Sequence, residues 1–275
     1  MSELVDRYLR RWGAERDGPA FSTPSSILTP ARRGAHAVML KIATGAEEAR
    51  GNRLMVRWNG RAAAAVLEHD RHAVLLERAT GTRSLVEMAQ AGDVRDDAAT
   101  RILCRAGTRL HALDDVPQDD AIGLEPWFRD LFAHADAVGG FHARAAVIAR
   151  ELLDNQQQVR VLHGDLHHGN VLDFGADRHP KFDGWLAIDP KYLLGDRAFD
   201  FTNILCNPSP DVASRPGRFA RQLAVICDAA DLERTRLVRW CIAWCALSTA
   251  WLGSGEWYES TLALGLQAER MLAAG

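Results

Sequence analysis

Short apolar runs bounded by turn residues occupy the first part of the chain, whereas later apolar positions recur every three to four residues. Residues 2–13 carry Leu4, Tyr8, Leu9 and Trp12 at helical spacing, which predicts a short amphipathic helix. Gly18, Pro19, Pro24 and Pro30 then break the chain into loop and short strand. The run 37–43 (AVMLKIA) predicts a buried strand with Lys41 near its end, and a helix is expected over about 46–58, stopped by Asn59-Gly60. Two more strands are expected at 62–68 and 73–77, separated by a turn at 69–72. Beyond Gly81 helical spacing takes over, around Ile102, Leu103, Ala106, Leu110 and Leu113 and again around Trp127, Phe128, Leu131 and Phe132. A β-like island interrupts it at 159–189; long helices return past Phe199, notably over 232–252 and 261–273. The pattern divides the chain into a β-rich N-terminal lobe (1–78) and a larger, mainly helical lobe (79–275), with a hinge at about 77–81. Small-molecule sites commonly form in the cleft between such lobes.

Composition narrows the partners. With 33 basic against 36 acidic residues and a net charge of −3, the chain has no electrostatic footprint for nucleic acid or for a membrane surface. Apolar residues at 47% and charged residues at 25% exclude disorder for most of the chain. No apolar run approaches the roughly 18 to 20 residues of a membrane span, and MSELVDRYLRRW lacks the apolar stretch of a secretory signal, so a cytoplasmic location is expected. Five cysteines without a CxxC argue against zinc or a disulfide framework; Cys206, Cys227, Cys241 and Cys245 read as free thiols in apolar surroundings. Lysine is scarce: Lys41, Lys181 and Lys191 are the only lysines, and Lys41 lies in an apolar run where a fork-shaped guanidinium would not serve.

The central chemical signal is His163-Gly164-Asp165-Leu166-His167-His168-Gly169-Asn170, followed by Ile188-Asp189-Pro190. Phosphoryl transfer from ATP to a hydroxyl needs a carboxylate that accepts the hydroxyl proton, hard oxygen ligands for Mg²⁺ and a cation on the phosphates. Asp165, in a loop between strands, suits the catalytic base; Asn170 and Asp189 suit Mg²⁺; Lys41 suits the α and β phosphates. An acid on the next helix is expected to pair with Lys41. Glu48 is preferred and Glu47 is the alternative, since neighbouring residues cannot both face the strand.

These residues resemble the aminoglycoside phosphotransferases, relatives of the protein kinases, and most closely their streptomycin 6-phosphotransferase and hydroxyurea kinase branch. The likeness runs through TPSSIL (23–28), VMLK (38–41), LMVRWNGRAA (54–63), LLERATGTRSL (75–85), LHGDLHHGNVLDF (162–174), GWLAIDPKYLLGDRAFDF (184–201) and CALSTAW (245–251). It implies an α+β, two-lobed protein-kinase-like fold, with ATP in the cleft and its adenine on the backbone from Glu77 to Ala79. The chain departs from protein kinases in lacking a G-x-G-x-x-G over the phosphates; Ser25 and Ser26, in the 22–27 turn, stand where such relatives use a serine-bearing loop. Asp189-Pro190 replaces Asp-Phe-Gly, so regulated flipping of that segment is not expected.

Other polar residues are assigned supporting roles. His163 is expected to brace the catalytic loop, and Asp196 and Asp200 to act as scaffold residues that hydrogen-bond it. His167 and His168 are candidates for substrate contact. Trp244 and Trp251, seven residues apart and hence on one helix face, could form an aromatic and acidic wall for a cationic guest with Glu256 and Glu259 just beyond. The resulting expectation is an ATP- and Mg²⁺-dependent O-phosphotransferase, monomeric or weakly homodimeric, acting on a small hydroxylated molecule with a streptomycin-type aminoglycoside as first candidate. The rivals are a choline, fructosamine or homoserine kinase-like enzyme and a catalytically silent nucleotide-binding module.

Overall fold

The computed structural model describes residues 2–274. Helix α1 (Ser2–Arg11) buries Val5, Tyr8 and Leu9, as its helical spacing requires. The strands β1 (Glu15–Arg16), β2 (Phe21–Ser22), β3 (Ser26–Arg33) and β4 (His36–Ala43) follow, then helix α2 (Ala46–Trp58) and the strands β5 (Val66–His69) and β6 (Ala73–Glu77). Together they make a six-stranded antiparallel sheet in the order β1-β3-β4-β6-β5, with β2 on β3. Alternation along β4 sends Val38, Leu40 and Ile42 into the small core under α1. Met39 and Lys41 therefore face the other side, where they line a cavity.

Two expectations for this region need correction. The stretch 14–30, read as broken by prolines, leads into an eight-residue strand: β3 carries Pro30 opposite Met39, and the Pro30 carbonyl accepts the Asp17 N–H at 2.9 Å. The strand expected at 62–68 shrinks to β5, because Ala62 adopts a left-handed φ of 63° and cannot extend the ladder. Ala63 instead bridges to Ala187 of the C-terminal lobe. Asn59 and Gly60, both left-handed, end α2 as expected.

After β6 the chain crosses to the helical lobe through a segment tied to it, since Gly81 N–H donates to the Asp173 carbonyl at 2.9 Å. A Cβ at Gly81 would overlap the Asp173 carboxyl group, which also receives Arg83 through two nitrogens at 2.8 and 2.9 Å. The lobe contains α3 (Leu85–Gln90), α4 (Asp93–His111), β7 (Ile122–Gly123), α5 (Leu124–Trp127), α6 (Arg129–Val138) and α7 (Gly140–Asp154). Next come β8 (Val159–Leu162), β9 (Val171–Asp173), β10 (Trp185–Ala187) and β11 (Leu193–Asp196). The helices α8 (Thr202–Cys206), α9 (Pro210–Ala213), α10 (Arg218–Ala230), α11 (Arg234–Leu252) and α12 (Glu256–Ala274) complete it. The expected β-like island resolves into the β9/β10 hairpin and a β7-β11-β8 sheet, which present the loops carrying Asp165 and Asp189.

Helix α11 is apolar nearly all round, from Leu237 through Trp240, Trp244 and Leu247, and accordingly runs through the core. Its Cys241 and Cys245 join Cys206 as buried free thiols, and Cys104 is likewise buried. One buried charge is fully matched: Arg218 donates twice to Asp96, at 2.8 and 3.0 Å, and Gln222 adds a third bond. Among the described residues no helix is long and apolar enough to cross a membrane.

Candidate active site

Lys41 projects from β4 toward the helical lobe and is almost wholly buried. Its ammonium pairs with Glu48 of α2 and lies 2.5 Å from Asp189 Oδ1. Glu48, not Glu47, is thus the partner, and the reason is helical phase: Glu48 faces the sheet, whereas Glu47 is half exposed and lies 3.0 Å from Lys191. Asp189 follows β10 in a left-handed conformation (φ 61°), which turns its carboxylate back toward Lys41. Burial works to raise the Asp189 carboxyl pKa, but the charge and hydrogen bond of Lys41, together with Lys191 and Glu48, hold the group below its ordinary value.

A cavity of about 460 Å³ contains Lys41, Asp189 and Asn170 and is walled by Leu28, Met39, Leu172 and Ile188. Glu77 and Ala79 form its rim at the crossing between the lobes. There the Glu77 N–H donates to Ala65 O and the Arg78 N–H to Ala37 O, so the Ala79 N–H is the donor in this stretch without a backbone acceptor among the described residues. The Glu77 side chain is already engaged by the Ala65 N–H and His179. Of the two serines expected over the phosphates, Ser26 is turned the other way: it is buried and donates to Glu48 Oε1 at 3.1 Å. Ser25 is half-buried and its carbonyl accepts the Thr44 N–H.

The loop after β8 is built around Asp200. This buried carboxylate accepts the His163 N–H at 2.8 Å, the Gly164 N–H at 2.6 Å and His111 Nε2 at 2.8 Å. Burial works to raise its pKa, but the hydrogen bond from His111 and the neighbouring donors leave it depressed. Gly164 has φ 80°, and a Cβ there would overlap Leu193, so glycine is required at this bend. His163 Nδ1 accepts the Asp165 N–H at 3.2 Å, which leaves Nε2 to donate to Ile188 O at 2.9 Å. The ring is buried, its pKa is lowered by that burial, and it ties the Asp165 loop to the strand leading to Asp189. Asp196 braces another part of the lobe: it caps the turn into 197–201 through the Ala198 N–H at 2.9 Å and accepts the Gln157 N–H at 3.1 Å, so it does not touch the catalytic loop.

Asp165 is the carboxylate on which this loop converges. Its Oδ1 accepts Asn203 Nδ2 at 2.9 Å and its Oδ2 accepts Asn170 Nδ2 at 3.2 Å. Burial raises its pKa, opposed by His167 and Lys191 nearby. His167 Nε2 is 3.7 Å from Asp165 Oδ1, within reach of whatever that carboxylate meets. His168 does not share that position: its ring is buried, neither nitrogen has a partner among the described residues, and burial drives its pKa well down. It lines neither the cavity holding Lys41 and Asp189 nor the one lined by Asp165.

On the far side of Asp165 lies a second cavity of about 320 Å³, lined by Glu47, Lys191, Trp127, Trp244 and Trp251. An adjoining hollow of about 350 Å³ shares Glu47, Trp127 and Trp251 and adds Asp130. Trp251 stands edge-on to Trp127 at 5.5 Å and to Trp244 at 5.8 Å, and its Nε1 donates to Asp130 at 2.9 Å. The tryptophans of the expected wall come together, but its acids do not: Glu256 and Glu259 open α12 and line neither hollow, while Glu47 and Asp130 line them beside Lys191, Arg50 and Arg129. Asn203, Lys191, Trp127 and Asp130 were not among the residues singled out from the sequence. Lys191 alone had a signal there, as one of three lysines in an arginine-rich chain.

An antiparallel sheet above a helical lobe, with a lysine–glutamate pair reaching down to an aspartate beside the catalytic loop, is the architecture of the protein-kinase-like phosphotransferases. At the level of fold, the structure matches a solved aminoglycoside phosphotransferase in ternary complex with ADP and hygromycin B, with a TM-score of 0.64 at 12% identity over 98% of both chains. Sequence gives the family itself. The chain belongs to the aminoglycoside/hydroxyurea antibiotic resistance kinases, whose family profile matches residues 11–255. It is 43% identical over 269 residues to a streptomycin 3''-kinase of Klebsiella pneumoniae, covering 96% of this chain and 98% of that one. It is 31% identical over 264 residues to a streptomycin 6-kinase of Streptomyces griseus, covering 90% and 81%. The resemblance read from the motifs is borne out, and the protein is a kinase, a phosphotransferase with a hydroxyl group as acceptor.

Proposed function

We propose that the protein inactivates a streptomycin-type aminoglycoside by transferring the γ-phosphate of Mg²⁺-ATP to one of its hydroxyl groups. The observation that carries this reading is the junction of the two cavities: Asn170 lines the one holding Lys41 and Asp189, and its amide reaches Asp165, which lines the other. Nucleotide entering from the hinge meets Lys41, and a hydroxyl entering from the tryptophan side meets Asp165.

Asp189 and Asn170 offer a carboxylate and a carboxamide oxygen in one cavity, hard ligands that suit Mg²⁺ and leave its remaining positions to phosphate oxygens and water. Asn170 spends its Nδ2 on Asp165, which leaves Oδ1 for the cation. When bound, Mg²⁺ neutralises charge on the β and γ phosphates. Lys41, held by Glu48, is suited to orient the α and β phosphates, and the Ala79 N–H is free to receive the adenine. Asp165 accepts the proton of the attacking hydroxyl. Its two amide partners fix both carboxylate oxygens, so little reorganisation is needed as the proton arrives.

The tryptophan faces around the second cavity suit a cationic acceptor; Glu47 and Asp130 are balanced there by Lys191, Arg50 and Arg129, so the choice of acceptor is carried by the relatives. The 43% relative named as a streptomycin 3''-kinase supports streptomycin, with the 3''-hydroxyl as the first position. The more distant relative named as a 6-kinase makes the 6-hydroxyl the alternative. ADP release, coupled to pyruvate kinase and lactate dehydrogenase, is expected to be saturable with streptomycin, and phosphorus–proton NMR of the product decides between the two hydroxyls. Absence of streptomycin-dependent ADP release, with turnover on choline or another metabolite alcohol, would refute the assignment.

A further inference from the structure

We propose that Lys191 is a second catalytic cation, which meets the γ-phosphoryl group from the acceptor side while Lys41 holds the triphosphate from the nucleotide side. The proposal rests on the reading of Asp165 as the base. Lys191 is the second residue after Asp189, and its backbone is pinned to the catalytic loop, for its N–H donates to the His163 carbonyl at 2.6 Å. The next residue, Tyr192, takes a left-handed φ of 59° and donates from its hydroxyl to Pro117 O. This fixed backbone directs the Lys191 side chain into the cavity that Asp165 lines. The side chain is only 22% exposed, and Asp165, Glu47 and Asp189 surround its charge.

Among the described residues Glu47 is its one ion-pair partner, at 3.0 Å. An ammonium has three donors, so one partner leaves donors to spare in a cavity beside the base. A structural tie explains the arrangement poorly. Glu47 is half exposed, and such pairs add little stability. Where this chain ties elements together through a carboxylate shielded from solvent it uses the bidentate fork of arginine, as in Arg218–Asp96 and Arg83–Asp173. A compact point charge on a flexible stem suits phosphoryl oxygens that move during the reaction.

In the step itself the acceptor oxygen forms a bond to the γ-phosphorus, and the bond from that phosphorus to the β–γ bridging oxygen breaks. ADP leaves with the electron pair, and the hydroxyl proton passes to Asp165. Negative charge spreads over the equatorial oxygens of the transferring group, and Lys191 stands on the side of the acceptor where Lys41 does not reach.

The test compares Lys191→Met and Lys191→Arg with the wild type in acceptor-dependent turnover, in slow ATP hydrolysis to water, and in calorimetric binding of Mg·ADP with and without aluminium fluoride, a mimic of the transferring phosphoryl group. Lys191→Met is expected to lower kcat about 100-fold, as loss of one transition-state donor does elsewhere. KM and Mg·ADP affinity should stay within about threefold, while the tightening by aluminium fluoride disappears. Lys191→Arg should recover at least a tenth of the lost rate. The proposal is overturned if Lys191→Met keeps kcat within about threefold, if aluminium fluoride tightens both proteins equally, or if kcat, ADP affinity and melting temperature fall together. Asp165→Asn run in parallel separates the two readings. If it retains turnover, the assignment of the base fails; if it collapses while Lys191→Met does not, only the role of Lys191 fails.

Discussion

Asp200→Ala removes the group on which the catalytic loop is hung. Asp200 is buried and receives three donors, the N–H groups of His163 and Gly164 and the ring of His111. Truncation strands all three, at about 1–3 kcal/mol each before relaxation. Water entering the vacated space will satisfy part of the loss, so a destabilisation of roughly 3–6 kcal/mol is expected. At about 2–4 °C per kcal/mol for a chain of this size, the melting temperature should fall by between about 6 and 24 °C. The pH dependence carries a sign. The folded-state pKa of Asp200 is depressed, so its contribution is fully present above the unfolded value of about 4 and is lost only as pH falls through the depressed one. Scanning calorimetry of both proteins from pH 7 to pH 3 should therefore give a gap that is constant down to about pH 4 and narrows below it. A gap under about 3 °C at pH 7, or one that closes between pH 7 and pH 5, would refute the reasoning.

Three further outcomes follow from the geometry. Lys41→Met leaves Glu48 buried without a counter-charge and should cost about 3–5 kcal/mol in thermal unfolding, with at least a roughly tenfold loss of calorimetric ADP affinity; Glu48→Gln, which keeps the Lys41–Asp189 contact, should cost less. Gly51→Ala introduces a Cβ that overlaps the Pro190 carbonyl, so α2 must shift away from the Asp189 loop; steady-state kcat should fall about tenfold, with 1–3 kcal/mol of stability. Trp251→Ala should raise KM for the cationic acceptor about fivefold, the equivalent of about 1 kcal/mol, with little change in melting temperature, whereas Glu256→Gln should change KM less than about twofold.

Local patterns were legible from the sequence and long-range pairings were not. The loop from His163 to Asn170 and the strand-end Asp189 could be read because their chemistry is held within contiguous motifs bounded by strands. The choice of Glu48 over Glu47 turned on the phase of α2, which adjacent residues leave open until the helix is seen against β4. Asn203 holds the second oxygen of Asp165 from 38 residues further on, and no motif marks an asparagine at such a distance. Similarly, Asp130 meets Trp251 across 121 residues, so the acids beside the tryptophans were sought in the following helix, where chain proximity suggested them. Ser26 was expected over the phosphates; its hydroxyl is instead taken by Glu48, a contact that depends on how β3 and α2 cross. The prolines misled where tertiary structure overrode a local signal: Pro30 lies within a paired strand, and Ala62, a residue with no turn signature, makes the bend.

Asp165→Asn is the substitution that bears most directly on the mechanism, because it preserves the shape of the side chain and the amide neighbours Asn170 and Asn203 while removing the proton acceptor. Measured together, calorimetric Mg·ADP affinity should stay within about threefold of wild type and kcat for streptomycin should fall by about 10²- to 10⁴-fold. A variant that binds Mg·ADP normally and still turns over streptomycin within about tenfold of wild type would contradict the role assigned to Asp165.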